Sequence, residues 1–530
     1  MLLVIVVFVS IVLSHLDFIP VWDAKYYLQC VEDAVDRPFD LLNFRCFYHP
    51  SIVSTLLWSV TQYLWPWTPP LIYATNALLG AASIAAFYGL IRLLFPNRPD
   101  GEYVLVTALY ALAPVFVAHA IFLNVDYSVT AFVVIFLYFL IARRFWLASA
   151  FAVAAMFSKE TGATAWAVIM LAYVVAFVLN PRTSWPQRVA MLRSHAPLVA
   201  PAVVLLAYLV LVAVFRPDPA GWVHSYAPVN IVPNFFDAFL NTNLADPDIR
   251  SLLVDIFALN YQWLLTIVVV AALCAALIRV EPQNRIERDG DASIGPPRRG
   301  VFLGLSMIGL VYVVTRYRFS NAARYVLLAS PVMILVFYHA LLFLVRSHIR
   351  RLFYLSVCAV LVLLSNFRTI DFVSRSIFGT FAFGSHALLD MSSFTGKLRL
   401  DGMVYNLEFL QLQYLFGDMV RDLRPRPGSI LLMGNAIYNF PPGVDPRDYE
   451  LTANPARAVP FFVARGDVTR DVLASHVQRD GEPFFYMAFP HADNAPLQSL
   501  LHDYALVATK QYERRGYTLD VYIFRFTFKS

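Results

Sequence analysis

Apolar blocks about as long as a bilayer is thick recur along the first two thirds of the chain, separated by short polar segments. A helix of about 20 apolar residues can cross the hydrocarbon core, because every backbone polar group is hydrogen-bonded within the helix. The chain is therefore expected to be an α-helical polytopic membrane protein. The pattern predicts eleven transmembrane helices, at residues 2–16, 69–93, 103–122, 127–142, 145–159, 162–179, 197–215, 254–279, 301–315, 325–345 and 352–365.

A further apolar segment, at residues 50–66, begins PSIVSTLLW. Its first residue is a proline, which suits the first turn of a helix. Tryptophan and tyrosine recur along it, as they do in helices that lie at the membrane–water interface. We interpret this segment as an interfacial helix, because a span here would invert every later segment.

Basic residues are concentrated in one set of loops. With the N-terminus inside, the inner loops and their edges carry 15 arginines, whereas the longer outer segments before residue 366 carry 9 basic residues. Cytoplasmic loops carry the excess of lysine and arginine in membrane proteins. The pattern predicts a multi-pass protein of the plasma (inner) membrane with a cytoplasmic N-terminus. The inner loops would be 94–102, 143–144, 180–196, 280–300 and 346–351.

The composition agrees with a membrane protein. Hydrophobic residues make up 59% of the chain and charged residues 15%, with a mean hydropathy of +0.60. The net charge of +5 comes without a basic run interleaved with aromatic residues, so the sequence indicates membrane lipid as a partner and no nucleic acid. The first apolar block lacks a basic n-region and a small-residue cleavage site, which predicts an uncleaved span.

The pattern changes after Ser365, where charges, glycines and prolines become regular. A helix-like stretch at 404–423 precedes strand-like runs, SILLMG, EPFFYMAFP and YTLDVYIFRFTF. The sequence therefore predicts two domains, a membrane domain at 1–365 and an α/β extracytoplasmic domain at 366–530.

The four cysteines give little further information. Cys274 and Cys358 lie inside apolar spans and are expected to be packing residues. Cys30 and Cys46 share one predicted outer loop, where a disulfide is possible if the compartment is oxidising. No cysteine spacing resembles a zinc site.

Two acidic residues follow the outer ends of predicted spans, Asp23 in VWDAKYY and Asp126 in FLNVDYSVTAF. Either residue could simply cap the helix that follows. A carboxylate beside the hydrocarbon is costly, however, and is a functional hypothesis by default. One carboxylate would act as a base towards an attacking hydroxyl, and the other would orient the acceptor or hold an ion.

Basic residues on the same predicted side suit a phosphate. Lys159, in FSKETG, carries a flexible ammonium group; the alternative is a local ion pair with Glu160 that closes a hairpin. Arg324 and Tyr325 lead into the tenth span, where guanidinium groups would suit a phosphate or diphosphate head group. The alternatives are that the arginines snorkel at the end of the span or pair with acids of loop 216–253. His49 precedes the interfacial helix, whose first N–H groups favour an anion, although a lone histidine there is more often structural.

These motifs, in their order along residues 1–345, resemble those of the GT-C glycosyltransferases that use polyprenyl-phosphate sugars. The group includes protein O-mannosyltransferases and bacterial aminoarabinose transferases. The resemblance rests on WDAKYY, YHPSIVSTLLW, NVDYSVTAF, FSKETG and ARYVLLASP.

The resemblance implies a GT-C fold and an inverting sugar transfer at the outer face of the membrane. It implies that Asp23 and Asp126 are catalytic, and that His49, Lys159, Arg324 and Tyr325 bind the donor phosphate. Alanine follows Asp23 where many relatives have a second acid, so no cofactor is certain and a divalent metal is possible but not indicated.

The predicted activity is the transfer of a sugar from a polyprenyl-phosphate carrier to a glycolipid, glycan or protein. The main alternative is a transporter or flippase of lipid-linked sugars, whose charged residues should lie near the bilayer midplane. A catalytically inactive scaffold is a third interpretation. The charges noted above are predicted at the outer interface, which favours an enzyme.

Overall fold

The structure is a computed structural model, and its helices and strands fall into two groups with separate hydrophobic cores. One core is formed by helices before residue 366, and the other by the sheet and helix near the C-terminus. The structure describes residues 1–14, 27, 30, 31, 34, 35, 51–64, 70–121, 123–178, 193–215, 253, 256–258, 262–278, 296–316, 326–366, 415, 418, 419, 421–424, 429–433, 461–465, 473, 481–488, 495–514 and 517–527.

Apolar helices form wherever the sequence predicts a span. The first eight described helices are α1 (Leu2–Leu13), α2 (Ile52–Leu64), α3 (Pro70–Leu94), α4 (Asp100–Ala111), α5 (Pro114–Ile121), α6 (Val125–Ile141), α7 (Phe145–Met156) and α8 (Glu160–Tyr173), the last continuing as a π-helix at Val174–Val178. They are followed by a 3-10 turn (Ala196–Val199), α9 (Ala200–Phe215), α10 (Gln262–Ile278), α11 (Pro296–Arg316), α12 (Val326–Leu344) and α13 (His348–Ser365).

Helix length and hydropathy confirm a membrane protein. Among the described residues, four helices are long and apolar enough to cross a bilayer, and a fifth span results if α4 and α5 count as one. The four lie within α3, α8, α11 and α12, and several other apolar helices are shorter. Helix α2 forms as predicted, whereas its position at the membrane interface and the inside–outside orientation of the chain stay predictions.

The predicted single span at 103–122 is wrong in one respect, because it is two helices. Helices α4 and α5 meet at a bend of 55°. Pro114 starts α5, and a proline has no N–H to donate and disfavours a helical conformation in the residue before it. The Asn366 amide donates to the freed Leu112 carbonyl at 2.8 Å, so the break is compensated by the end of α13.

A buried ion pair joins the opposite ends of these same helices. Arg351, in the first turn of α13, donates to both carboxylate oxygens of Glu102 in α4, at 2.8–3.1 Å. The Tyr338 hydroxyl of α12 donates to Glu102 at 2.8 Å. Glu102 and Arg351 therefore place segments 94–102 and 346–351 at one end of the bundle, as the predicted topology requires.

A five-stranded mixed sheet forms in the predicted C-terminal domain, with strand order β2-β1-β3-β5-β4. Strand β1 pairs in parallel with β2 and β3, and β5 pairs antiparallel with β3 and β4. Aromatic residues of β3 and β5, such as Phe484 and Phe524, pack in its core. The strands are β1 (Ser429–Met433), β2 (Phe461–Arg465), β3 (Pro483–Ala488), β4 (Ala505–Arg514) and β5 (Tyr517–Arg525), with helix α14 (Ala495–Asp503) before β4.

The three predicted strand runs are confirmed as β1, β3 and β5, and the predicted α/β fold with them. Sequence reasoning missed β2 and β4. Strand β4 lies at a sheet edge; it begins with four mostly exposed apolar residues and continues with mainly polar ones, so it lacks the alternation that marks a strand. Most of the predicted helix at 404–423 lies outside the described residues.

Candidate active site

Asp126 lies at the start of α6, but it is not the helix cap. The cap is Asn124, whose side-chain oxygen accepts a hydrogen bond from the Asp126 backbone N–H at 2.8 Å. Asp126 occupies the first turn, where the exposed N–H groups favour a negative charge. Its carboxylate is thereby left for other contacts, and the residue is only 6% exposed.

Lys159 lies in the tight turn between α7 and α8. It is the N-cap residue of α8 and has an extended backbone. Gly162, three residues further on, packs so closely that a Cβ atom there would overlap the Ala155 carbonyl oxygen. The glycine of the FSKETG motif therefore permits the close hairpin that presents Lys159.

Asp126 and Lys159 form a buried ion pair. The Lys159 ammonium donates to Asp126 Oδ1 at 2.9 Å and to Oδ2 at 3.0 Å, and Lys159 is 3% exposed. Lys159 thus reaches beyond its own hairpin, which the predicted local pair with Glu160 did not anticipate. Buried charges are expensive to desolvate unless they are paired and hydrogen-bonded, so each side chain compensates for the burial of the other.

Helix α2 contacts the turn that carries Lys159. The backbone N–H of Val53, in the first turn of α2, donates to the Phe157 carbonyl at 3.0 Å. Ser51, Ser54 and Thr55 at this helix end are fully buried. The motifs around positions 50, 126 and 159 therefore meet in space.

Tyr27, four residues after Asp23, brings the predicted first outer loop to this junction. The Tyr27 ring lies 6.0 Å from that of Trp58 in α2, centroid to centroid. The Trp58 indole donates to the side chain of Asn76 in α3 at 2.9 Å. Tyr127, the neighbour of Asp126, donates to the Asn76 backbone carbonyl at 2.8 Å.

Of the six predicted site residues, the structure brings together Asp126 and Lys159. The other four, Asp23, His49, Arg324 and Tyr325, lie outside the described residues. Cys30 is disulfide-bonded, whereas Cys46, the partner that the sequence made possible, also lies outside them. In the part of the chain that the structure describes, no three His, Cys, Asp or Glu side chains are grouped as metal ligands would be.

Two solved structures share this arrangement of helices and sheet. They are crystal structures of ArnT from Cupriavidus metallidurans, one bound to undecaprenyl phosphate and one in the apo state. Each has a TM-score of 0.51 and 14% sequence identity, and the match covers 98% of this chain and 97% of the ArnT chain. The chain has the fold of ArnT, as its resemblance to the GT-C group predicted. No protein-family model and no curated protein sequence matches it.

Within this fold, sequence reasoning missed Asn76, Trp58 and Asn124. Asn76 could have been found, because it is an amide inside the predicted span 69–93, and a polar residue at such a position needs a partner. Asn124 could have been recognised as a better helix cap than Asp126, since it comes two residues earlier. Trp58 was one of the aromatic residues from which an interfacial helix was predicted at 50–66, but the sequence did not indicate that its indole has a hydrogen-bond partner.

Proposed function

We propose that this protein transfers a sugar from a polyprenyl-phosphate carrier to an acceptor at the outer face of the membrane. The observation that carries the proposal is the buried Asp126–Lys159 pair at the junction of α2, α6 and α8. It supports the proposal because a cation held beside an interfacial helix suits the phosphate of a lipid carrier. ArnT, which shares the fold, was crystallised with undecaprenyl phosphate.

Lys159 is proposed to bind the donor phosphate and to stabilise the charge that develops on it. During transfer, the bond between the anomeric carbon and the phosphate oxygen breaks, and its electron pair stays on the phosphate. A fixed positive charge near that oxygen lowers the barrier, because the charge appears only as the bond breaks. His49, Arg324 and Tyr325 are proposed to complete the phosphate site.

Asp126 is proposed to hold and orient Lys159. Both of its carboxylate oxygens accept hydrogen bonds from the ammonium, so the carboxylate is already engaged with Lys159. Asp23 is therefore proposed as the base that takes the proton from the acceptor hydroxyl as its oxygen attacks the anomeric carbon. Attack opposite the leaving phosphate inverts the anomeric configuration.

The position of the pair also bears on the choice between an enzyme and a transporter. Asp126 and Lys159 lie at the N-terminal ends of α6 and α8, which the predicted topology puts at the outer interface. A transporter of lipid-linked sugars should instead place its key charges near the bilayer midplane. The pair therefore favours an enzyme. The acceptor class, a glycolipid, a glycan or a protein, is open in this proposal.

The test is a transfer assay with purified protein and a panel of labelled polyprenyl-phosphate sugars. Wild type is expected to release polyprenyl phosphate and to label an acceptor. Asp23→Asn should lower the transfer rate by about 10²- to 10⁴-fold while donor binding persists. If wild type labels no acceptor but moves a labelled lipid-linked sugar across proteoliposomes, the transporter alternative is correct.

A further inference from the structure

Asn76 is a fully buried amide in the second turn of α3. A buried side-chain amide costs free energy unless its donors and its acceptor are hydrogen-bonded. Leucine at this position would avoid that cost altogether. The hydrogen bonds of Asn76 therefore indicate what it does.

Each polar group of Asn76 faces a different element. Its side-chain oxygen accepts from the Trp58 indole N–H of α2 at 2.9 Å. Its side-chain nitrogen donates to the Ala120 carbonyl, in the last turn of α5, at 3.2 Å. Its backbone carbonyl accepts from the Tyr127 hydroxyl of α6 at 2.8 Å. One residue thus links α3 to three other helices.

Close packing supports the last of these contacts. A Cβ atom at Gly80, one helical turn after Asn76, would overlap the Tyr127 hydroxyl oxygen. Only glycine lets that hydroxyl approach the α3 backbone. Tyr127 adjoins Asp126 in sequence, so the start of α6 is fixed against α3 beside the ion pair.

Helix α2 is held at two points along its length. Near its start, Val53 contacts the turn that carries Lys159, and one and a half turns later Trp58 contacts Asn76. A helix anchored at two points has a defined position and axis. Without the second contact, the buried serines at its start would no longer be fixed relative to Lys159.

We infer that Asn76 is a positioning residue, which fixes the interfacial helix α2 against the Asp126–Lys159 pair and thereby sets the affinity for the lipid-phosphate donor. The claim about donor affinity rests on the proposed function. The claim that Asn76 positions α2 is independent of any activity. In this role Asn76 touches neither substrate nor reacting atoms.

Ser83 provides a matched control on the same helix. It lies two turns after Asn76, is fully buried, and its hydroxyl is hydrogen-bonded to that of Tyr110 in α4 at 2.7 Å. Ser83→Ala therefore removes a buried hydrogen bond of α3 that does not involve α2. A general loss of stability would appear in both variants, whereas a loss of positioning would appear only at Asn76.

The first measurement is hydrogen–deuterium exchange of the purified full chain. Asn76→Leu and Trp58→Phe are each expected to speed exchange in the α2 peptide, and Ser83→Ala is expected to leave that peptide unchanged. The double variant Trp58→Phe/Asn76→Leu should exchange no faster than Asn76→Leu, because both changes remove the same contact. Unchanged exchange of α2 in Asn76→Leu would overturn the inference.

The second measurement is the kinetics with a polyprenyl-phosphate sugar. Trp58→Phe is expected to raise the donor KM about tenfold with little change in kcat, as the loss of one buried hydrogen bond would. Ser83→Ala should leave the donor KM unchanged. If α2 exchanges faster but the donor KM is unaltered, the link between Asn76 and donor affinity is overturned. If wild type transfers no sugar, the proposed function is overturned, and the exchange experiment alone then decides whether Asn76 positions α2.

Discussion

Among the described residues, two buried ion pairs join helices at opposite ends of the helical bundle, and they differ in chemistry. At one end, Arg351 donates to both oxygens of Glu102 and to the carbonyls of Val345 and Arg346. At the other end, Lys159 donates to both oxygens of Asp126. The first pair uses a rigid planar guanidinium, and the second a flexible ammonium.

The difference separates a structural contact from a candidate catalytic one. Arg351 binds carbonyls of its own preceding loop as well as Glu102, which locks the turn between α12 and α13. Lys159 lies where α2 meets the α7–α8 turn, beside motifs that resemble those of lipid-phosphate glycosyltransferases. Burial and charge alone do not distinguish the two pairs, whereas the elements they join do.

The largest expected effect is on stability, at Arg351. Arg351→Met should lower the free energy of unfolding by about 3–5 kcal/mol, because it leaves Glu102 buried without its counter-ion. Thermal unfolding of the purified protein in detergent would measure the loss. The fraction that stays folded should keep the wild-type donor KM, and a raised donor KM would contradict a purely structural role.

The control for that variant removes both charges. Glu102→Leu/Arg351→Met should recover part of the lost stability, because replacing a buried pair with apolar residues is often neutral. If the double variant were no more stable than Arg351→Met, the unpaired carboxylate would not explain the loss.

Lys159→Met should show the complementary result. The transfer rate is expected to fall by about 10²- to 10³-fold, the usual effect of removing one group that stabilises developing charge. The measurement is single-turnover transfer from a labelled polyprenyl-phosphate sugar. Asp126→Leu/Lys159→Met should regain stability relative to Lys159→Met without regaining transfer, and recovery of transfer would show that Lys159 matters only as a counter-ion.

The smallest effect is expected at an exposed pair in the C-terminal sheet. Lys510 and Tyr512 of β4 both donate to Asp422, at 2.7 and 2.8 Å. These hydrogen bonds hold the pKa of the Asp422 carboxyl below its ordinary value, so any stabilisation is present at neutral pH and is lost as the pH falls through that lowered pKa. Solvent weakens such pairs, so Lys510→Met should leave the melting temperature at pH 7 unchanged within error.

A melting temperature several degrees lower for Lys510→Met would show that this contact matters beyond its exposure. It would also mean that burial does not decide which ion pairs stabilise the protein, since this exposed pair would then contribute as the buried pairs of the helical bundle do. Measuring the two proteins again at acidic pH, where Asp422 is protonated, should remove any difference between them.

Much of the fold follows from local pattern. Each predicted span contains apolar helix because the helix satisfies its own backbone and needs no distant partner. The same is true of β1, β3 and β5, whose runs of aromatic and branched residues are long enough to be recognised. The bend at Pro114 could also have been predicted locally, since proline lacks an N–H and restricts the backbone conformation of Ala113.

Less of the candidate site follows from pattern. The sequence indicated Asp126 and Lys159 individually, through the cost of a charge beside the hydrocarbon, and placed both on one side of the membrane through the distribution of arginines. Their direct contact could not be read from it, because the two residues are 33 positions apart. The roles predicted for Asp23, His49, Arg324 and Tyr325 stay predictions.

The sequence by itself determined that this chain is a membrane protein, where its helices form, and which polar residues are costly enough to need an explanation. Only the tertiary structure decided which of those residues meet. Hydrophobicity acts through local periodicity and is visible in any window of the chain, whereas a hydrogen bond such as that of Trp58 to Asn76 depends on how whole helices pack. The partners of a buried polar group are therefore a property of the fold.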